Sequence, residues 1–259
     1  MAAPDQHPAN QPEQTTDRAL DPELGYTLQE MILATPDVEV FLSDLAVLAA
    51  TEISTPVNAV LCGVTVIRRK KGVVAASSDE RASVLDHLQN SYGDGPCLTA
   101  LRDKTLIHVP DTAADTRWRD YLDAAVAEGV GSVLAVPLDL AGEADAVMNL
   151  YSVSSHGFAP PDITMAETFT EHTAKSLRLA LKMAQLRHAR DDLYAAMQSR
   201  AVIDMAVGII MAQNRCRKDA AFKVLTDTSS HRNTKLRDVA AQIVARVSGE
   251  NHVTAYFDE

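Results

Sequence analysis

The sequence predicts an α+β protein in which an antiparallel sheet with flanking helices is followed by a long coiled-coil helix and a C-terminal three-helix bundle. Three observations carry this. Between residues 59 and 153, apolar runs of strand length recur, many of them β-branched and bounded by Gly, Pro, Asp or Ser. From Asp162 to Val207, about 46 residues continue at helical period without Pro or Gly, enough for a helix of ~70 Å. Residues 200–249 then place apolar side chains at helical spacing in three further segments.

Taken in order, Met1 to about Gly25 is rich in Pro, Gln, Asp and Ala, with Pro4, Pro8, Pro12 and Pro22 breaking any helix. It reads as a mobile tail over 1–25. The first domain, 26–175, opens on Asp37–Glu52, where Val38, Phe41, Leu42, Leu45, Leu48 and Ala49 make an amphipathic helix. Five strand-length runs follow, at Ala59–Ile67, Gly72–Ala76, Thr105–Val109, Ser132–Leu140 and Ala146–Val153. Helical segments lie between them at Glu80–Gln89 and Trp118–Glu128. Short connections make hairpins of the first two and of the last two strands.

The connecting helix, 176–199, carries Leu179, Leu186 and Leu193 at intervals of seven, with Ala189, Ala196 and Ile203 between them, and Lys182 and Arg200 as interruptions. A helix this long and half apolar needs a partner in water. The expected partner is a second copy, in a parallel homodimer, or in part the helix at Asp37–Glu52.

The last domain, 200–249, has breaks near Asn214–Arg217 and Arg232–Thr234, and a tail over 250–259 follows. Its apolar set is Ile203, Val207 and Ile210, then Ala221, Phe222 and Leu225, then Leu236, Val239, Ala240, Ile243 and Val244, and Phe222 is expected inside the bundle. This stretch holds nine Lys or Arg against five acids, counting Glu250 just past its end, for a formal charge of +4. The whole chain stands at −11, so the remainder carries −15. A basic module on an acidic body points to an anionic partner for that end alone.

Several function classes are disfavoured. No run approaches the ~18 apolar residues of a membrane span and no signal sequence opens the chain, so a cytoplasmic location and no membrane partner are expected. Cys62, Cys97 and Cys216 have no metal-ligand spacing and read as reduced thiols, a redox role for Cys97 being the alternative. No GxSxG, Walker A, GxGxxG or HExxH occurs, so an enzyme is not expected and no catalytic residue is assigned. His87, His108 and His156 are conceivable haem ligands but read as solvated or hydrogen-bonded histidines, and no cofactor or metal is assigned. Trp118 anchors a loop or lines a ligand cavity, and Asn149 and Tyr151 share a strand face that meets either a pocket or solvent. These three are the candidate ligand-pocket residues.

Two family resemblances bear on function. Ala206 with Gly208-Ile209-Ile210-Met211, Asp219-Ala220-Ala221-Phe222 with Leu225, Asn233, and Lys235-Leu236-Arg237-Asp238-Val239-Ala240 resemble the ANTAR domain. That resemblance implies a helical module of bacterial transcription antiterminators that binds paired stem-loops in nascent RNA. Val207 stands where many members carry Lys, and Arg217 where a polar residue usually starts the second helix. Gly93-Asp94-Gly95-Pro96-Cys97 with Ala100 and Leu101, Val109-Pro110-Asp111, Arg117-Trp118, Gly129, and Ser132-Val133-Leu134-Ala135-Val136-Pro137-Leu138 resemble the GAF domain over roughly Ser54 to Leu186. That resemblance implies a sensing fold, whose members bind cyclic nucleotides, haem, bilins, other metabolites or nothing.

RNA is read through phosphates and through splayed loop bases, which calls for cations beside hydrogen-bonding groups. The candidate RNA-binding residues are Arg217, Lys218, Arg232, Asn233, Thr234, Lys235 and Arg237. The sequence thus reads as a regulator in which a small-molecule or redox signal in the first domain changes the spacing or rotation of two basic modules. The alternative is a ligand-sensing dimer whose basic bundle docks a protein or DNA.

Overall fold

The computed structural model describes residues 20–35, 37–68 and 72–249. The predicted tail over 250–259 and most of the one over 1–25 lie outside these residues. The chain divides into two compact units, at Ala184 and Gln185.

The first unit is built on five antiparallel strands, β1 (Val60–Arg68), β2 (Gly72–Ser77), β3 (Ile107–Val109), β4 (Ser132–Leu138) and β5 (Asp145–Ser152), in the order β2-β1-β5-β4-β3. Both predicted hairpins form, β1 with β2 and β4 with β5. Pairing of Gly63 with Asn149, and of Asn149 with Ala135, aligns the three central strands. Alternation then sorts side chains onto two faces.

One face is aliphatic. Val64, Val66, Leu134, Met148 and Leu150 pack there against α1 (Leu24–Ala34), α2 (Val38–Ile53) and the first part of α6 (Pro160–Asn214). Phe41, Leu42, Leu45, Phe169, Leu177 and Leu181 fill that layer, all buried. Each such side chain stabilises the fold by ~1.5–3 kcal/mol relative to exposure. Asp37 caps α2 by accepting from the Glu39 amide at 2.8 Å. Ala174, Leu177, Leu181 and Ala184 of α6 are buried in this same core, so the early part of the long helix is covered within the chain.

The opposite face carries α3 (Glu80–Tyr92), α4 (Pro96–Asp103) and α5 (Arg119–Ala127). Ala82, Leu85, Tyr121, Leu122 and Ala125 meet Val109, Val133 and Tyr151, while Cys97, Ala100 and Leu101 meet Ala135 and Val147. Asp79 caps α3 through the Ala82 amide at 2.9 Å.

Two helices were missed by the sequence reading. The tail boundary at residue 25 is corrected by α1, which begins at Leu24 and buries Leu24, Leu28 and Ile32 as a single stripe. Helix α4 is too short to display a period, with only 8 residues starting on Pro96.

Gly131 enters β4 against the chain after β5. A Cβ there would stand 2.4 Å from the Ser155 nitrogen and 2.5 Å from the Ser154 carbonyl carbon. Backbone cannot rotate aside, so Gly131→Ala is expected to cost about 1–3 kcal/mol, read as a lower urea midpoint.

The second unit is a bundle of the end of α6 with α7 (Lys218–Arg232) and α8 (Leu236–Ser248). Val202, Ala206, Val207, Ile210, Ala221, Leu225, Val239, Ala240 and Val244 form its core. Phe222 departs from expectation at 42% exposed. Ala221 and Leu225 lie on the line of α7 that meets both neighbours, and Phe222 sits on its flank. The predicted seam is uncovered within the chain, with Leu186 71% and Leu193 61% exposed. By length and composition α6 also passes for a membrane span, at mean hydropathy 1.3 over 18 residues, contrary to the sequence expectation. Its Val202, Ala206, Val207 and Ile210 are nonetheless committed to the bundle core.

Candidate functional site

The sensing candidate lies in the first unit, beneath α3. The buried stripe of that helix is Ala82, Leu85, Asp86 and Gln89, so two polar residues occupy positions that period 3.6 assigns to the interior. Asp86 is buried against Gly63, where an added Cβ would stand 2.0 Å from Asp86 Oδ2. Glycine at 63 is therefore what lets the carboxyl group lie flat on β1.

Tyr151 donates its hydroxyl to Asp86 Oδ1 at 2.7 Å, and Asn149 donates its amide nitrogen to the same oxygen at 2.9 Å. Asp86 Oδ2, Asn149 Oδ1 and the Tyr121 hydroxyl are buried without a hydrogen-bond partner. No Lys, Arg or His pairs with Asp86 among the described residues. Burial pushes its carboxyl group up to about 6, against the lowering effect of the Tyr151 and Asn149 hydrogen bonds. Burial likewise pushes the Cys97 thiol up to about 12 and raises Cys62, Tyr121 and Tyr151 above their ordinary values. Burial thus favours the thiol form of Cys97, the less nucleophilic one.

The three pocket candidates read from sequence come close together. Asn149 and Tyr151 face neither solvent nor an open pocket, and instead hold Asp86. Trp118 is half-buried against the cluster that contains Tyr121 and Tyr151. The Arg117 guanidinium lies 4.6 Å from the Trp118 ring centroid and is held by Asp115 at 2.6 Å. Asp86, Gln89, Tyr121 and Gly63 were not singled out from sequence, although Asp86 and Gln89 were visible as polar residues on an apolar stripe.

The histidines separate. His87 is exposed on α3, His156 is exposed at φ 57°, and His108 on β3 stands edge-on to Phe158 at 6.4 Å. Burial, with the Arg117 charge, holds His108 below its ordinary value. No three His, Cys, Asp or Glu gather as a metal site among the described residues.

The RNA-binding candidates, in the second unit, fall into two groups. Arg232, Asn233, Thr234, Lys235 and Arg237 cluster where α7 turns into α8, with Asn233 at φ 49° closing α7. Ser229 Oγ donates to the Thr234 carbonyl at 2.6 Å, which fixes the turn. Arg237 lies 3.3 Å from Asp238. Arg217 and Lys218 stand at the other end of α7, about 21 Å away along its axis at 1.5 Å per residue. Arg217 occupies the cap position without a side-chain cap bond, and Lys218 is 3.7 Å from Asp204. Phe222 is exposed one turn beyond Lys218, while Val207 is buried in the core, so that position offers no surface contact.

Comparison with known proteins follows this division. The GAF domain matches residues 40–178 and the ANTAR domain residues 191–244. No curated protein matches the chain. Among solved structures, the free methionine-R-sulfoxide reductase of Neisseria meningitidis is similar at 16% identity, over 64% of this chain and 90% of that one, with a TM-score of 0.44. The transcription factor CepR2 of Burkholderia cenocepacia is similar at 11% identity, over 63% and 96%, with a TM-score of 0.47. The GAF domain of the Acinetobacter phosphoenolpyruvate-protein phosphotransferase is similar at 13% identity, over 61% and 92%, with a TM-score of 0.45. Similarity at this level carries no functional weight. The match over more than half its length is what decides: the chain belongs to the GAF domain family and joins to that domain an ANTAR domain, as a signal-sensing regulator of the antitermination family does.

Proposed function

We propose that this chain is a cytoplasmic, non-enzymatic antitermination regulator whose ANTAR bundle binds paired RNA stem-loops and whose GAF domain responds to a small molecule. One observation carries the RNA reading. Arg232, Asn233, Lys235 and Arg237 are exposed together at one corner of a small bundle, in a chain of net charge −11. Cations at that corner meet phosphates, Asn233 and Thr234 supply donors and acceptors for loop bases, and the start of α8 favours an anion. Arg217 and Lys218, at the far end of α7, reach a second stretch of backbone, and the exposed Phe222 ring beside them suits an unstacked base.

Pairing of two chains along Leu186 and Leu193 would present two bundles, one for each stem-loop, and so keep a terminator from forming. Helix α6 belongs to both units, which supports a route by which the GAF domain biases that pairing. A second reading, a bundle that docks a protein, is favoured by an apolar groove of about 420 Å³ lined by Met205, Gly208, Ile209, Ala212, Val244 and Val247.

Filter binding with a two-hairpin RNA, an unstructured RNA and duplex DNA separates these readings. Tight binding of the two-hairpin RNA alone is expected. Arg232→Ala and Lys235→Ala should each lower the slope of log affinity against log salt by about one unit. Equal affinity for all three nucleic acids, or none at low salt, would count against RNA recognition.

A further inference from the structure

The apolar groove of the second unit is walled by Met205, Gly208, Ile209 and Ala212 of α6 and by Val244 and Val247 of α8. Met205 and Val247 are exposed along it, at a cost in contact between oily side chains and water. Gly208 stands in the interior of α6, where glycine is a poor helix former. A Cβ added there would meet nothing within 4 Å, so no neighbour among the described residues requires glycine. A bare stretch of helix suits an occupant that comes close to the backbone.

The chain itself supplies a candidate at the rim. Helix α8 ends at Ser248, which also lines the groove, and Gly249 at φ 74° turns the chain off the helix axis there. Residues 250–259, outside the described residues, read ENHVTAYFDE, with Val253, Tyr256 and Phe257 at the i, i+3, i+4 spacing of one apolar face. The α6 wall from Met205 to Ala212 is about 10 Å long at 1.5 Å per residue. From Gly249 to Phe257 the chain can reach ~26 Å, so every part of the groove is accessible. The charges agree. Glu250, Asp258 and Glu259 stand without Lys or Arg in that segment, whereas residues 200–249 hold nine Lys or Arg against four acids.

We propose that residues 250–259 close over this groove in their own chain, with Val253, Tyr256 and Phe257 seated between α6 and α8 as an amphipathic segment in a groove. A tethered segment is present at high effective concentration, so it outcompetes a second copy or another protein for the same walls. The protein-docking reading above then loses its surface. RNA binding by the bundle is neither needed for this closure nor excluded by it.

Methionine-methyl NMR of the full chain tests the closure, with Met205 as the probe in the groove and Met148 in the GAF core as the control. Removal of residues 250–259, and Phe257→Ser in the full chain, should each shift the Met205 resonance and leave Met148 in place. Both changes should also raise the fluorescence of a hydrophobic dye severalfold and lower the Tm of the bundle. Truncated chain with labelled methionine, refolded together with unlabelled full chain, should keep Met205 at its truncated position. Return of Met205 to its full-length position in that mixture would seat the segment in a second copy and overturn closure within the chain. A Met205 resonance that neither truncation nor Phe257→Ser moves would overturn the occupant itself.

Discussion

Asp86→Asn is expected to stabilise the GAF domain by about 3 kcal/mol at pH 8 and to change it little near pH 4. Burial raises the folded carboxyl group to about 6, against roughly 3.9 for an unfolded Asp. The folded state therefore binds the proton more tightly, and its stabilising contribution is complete below about pH 4. That contribution is lost as pH rises through 6. A gap of two units corresponds to about 3 kcal/mol. Asn mimics the neutral acid and keeps an oxygen for the Tyr151 and Asn149 donors, so it escapes the loss.

The surrounding groups do not obscure this window. Tyr121, Tyr151, Cys62 and Cys97 are all raised and stay neutral through it, and His87 is the neighbour whose charge favours the carboxylate. Urea midpoints from pH 4 to 8, followed by the fluorescence of the single Trp118, measure the effect where Asp86 sits. Parallel curves for the wild type and Asp86→Asn, with His87→Gln as control, would show that the carboxyl group titrates normally.

Leu225→Ala is expected to unfold much of the ANTAR bundle, with the GAF domain intact, and with it to abolish the RNA binding proposed above. Leu225 is fully buried between α6, α7 and α8. Its loss costs ~2–5 kcal/mol in transfer and cavity terms. A bundle of this size has about 3–9 kcal/mol in all, at 0.05–0.15 kcal/mol per residue. Calorimetry of the wild type and the variant should show the bundle transition shifted down or lost and the Trp118-reported transition unchanged. An unmoved bundle transition would mean that the core relaxes around the cavity.

The periodicities of this chain were readable because each arises from a repeat over many residues. All five strands and the helices α2, α3, α5, α7 and α8 appear where their patterns place them, within a few residues at the ends. The candidate sites were less legible. Ala221, Phe222 and Leu225 all satisfy a helical stripe, and only the directions of two neighbouring helices leave Phe222 outside. Alternation placed Asn149 and Tyr151 on one face of β5 without saying what covers it. The covering residue, Asp86, lies 63 positions away from Asn149 along the chain.

What the amino-acid order determined by itself is local: where helices and strands begin and end, which stretch is basic, and that the long helix carries an unsatisfied apolar seam. Hydrophobic spacing and capping act within a few residues of one another, so these features need no knowledge of the fold. The tertiary structure alone decided that α3 lies across β1 with its polar residues inward and that Gly63 lets a carboxylate lie against the sheet. It also split the seven candidate RNA contacts between the two ends of α7. These depend on the register between elements remote in sequence, which is set by packing and leaves no periodic trace in the chain.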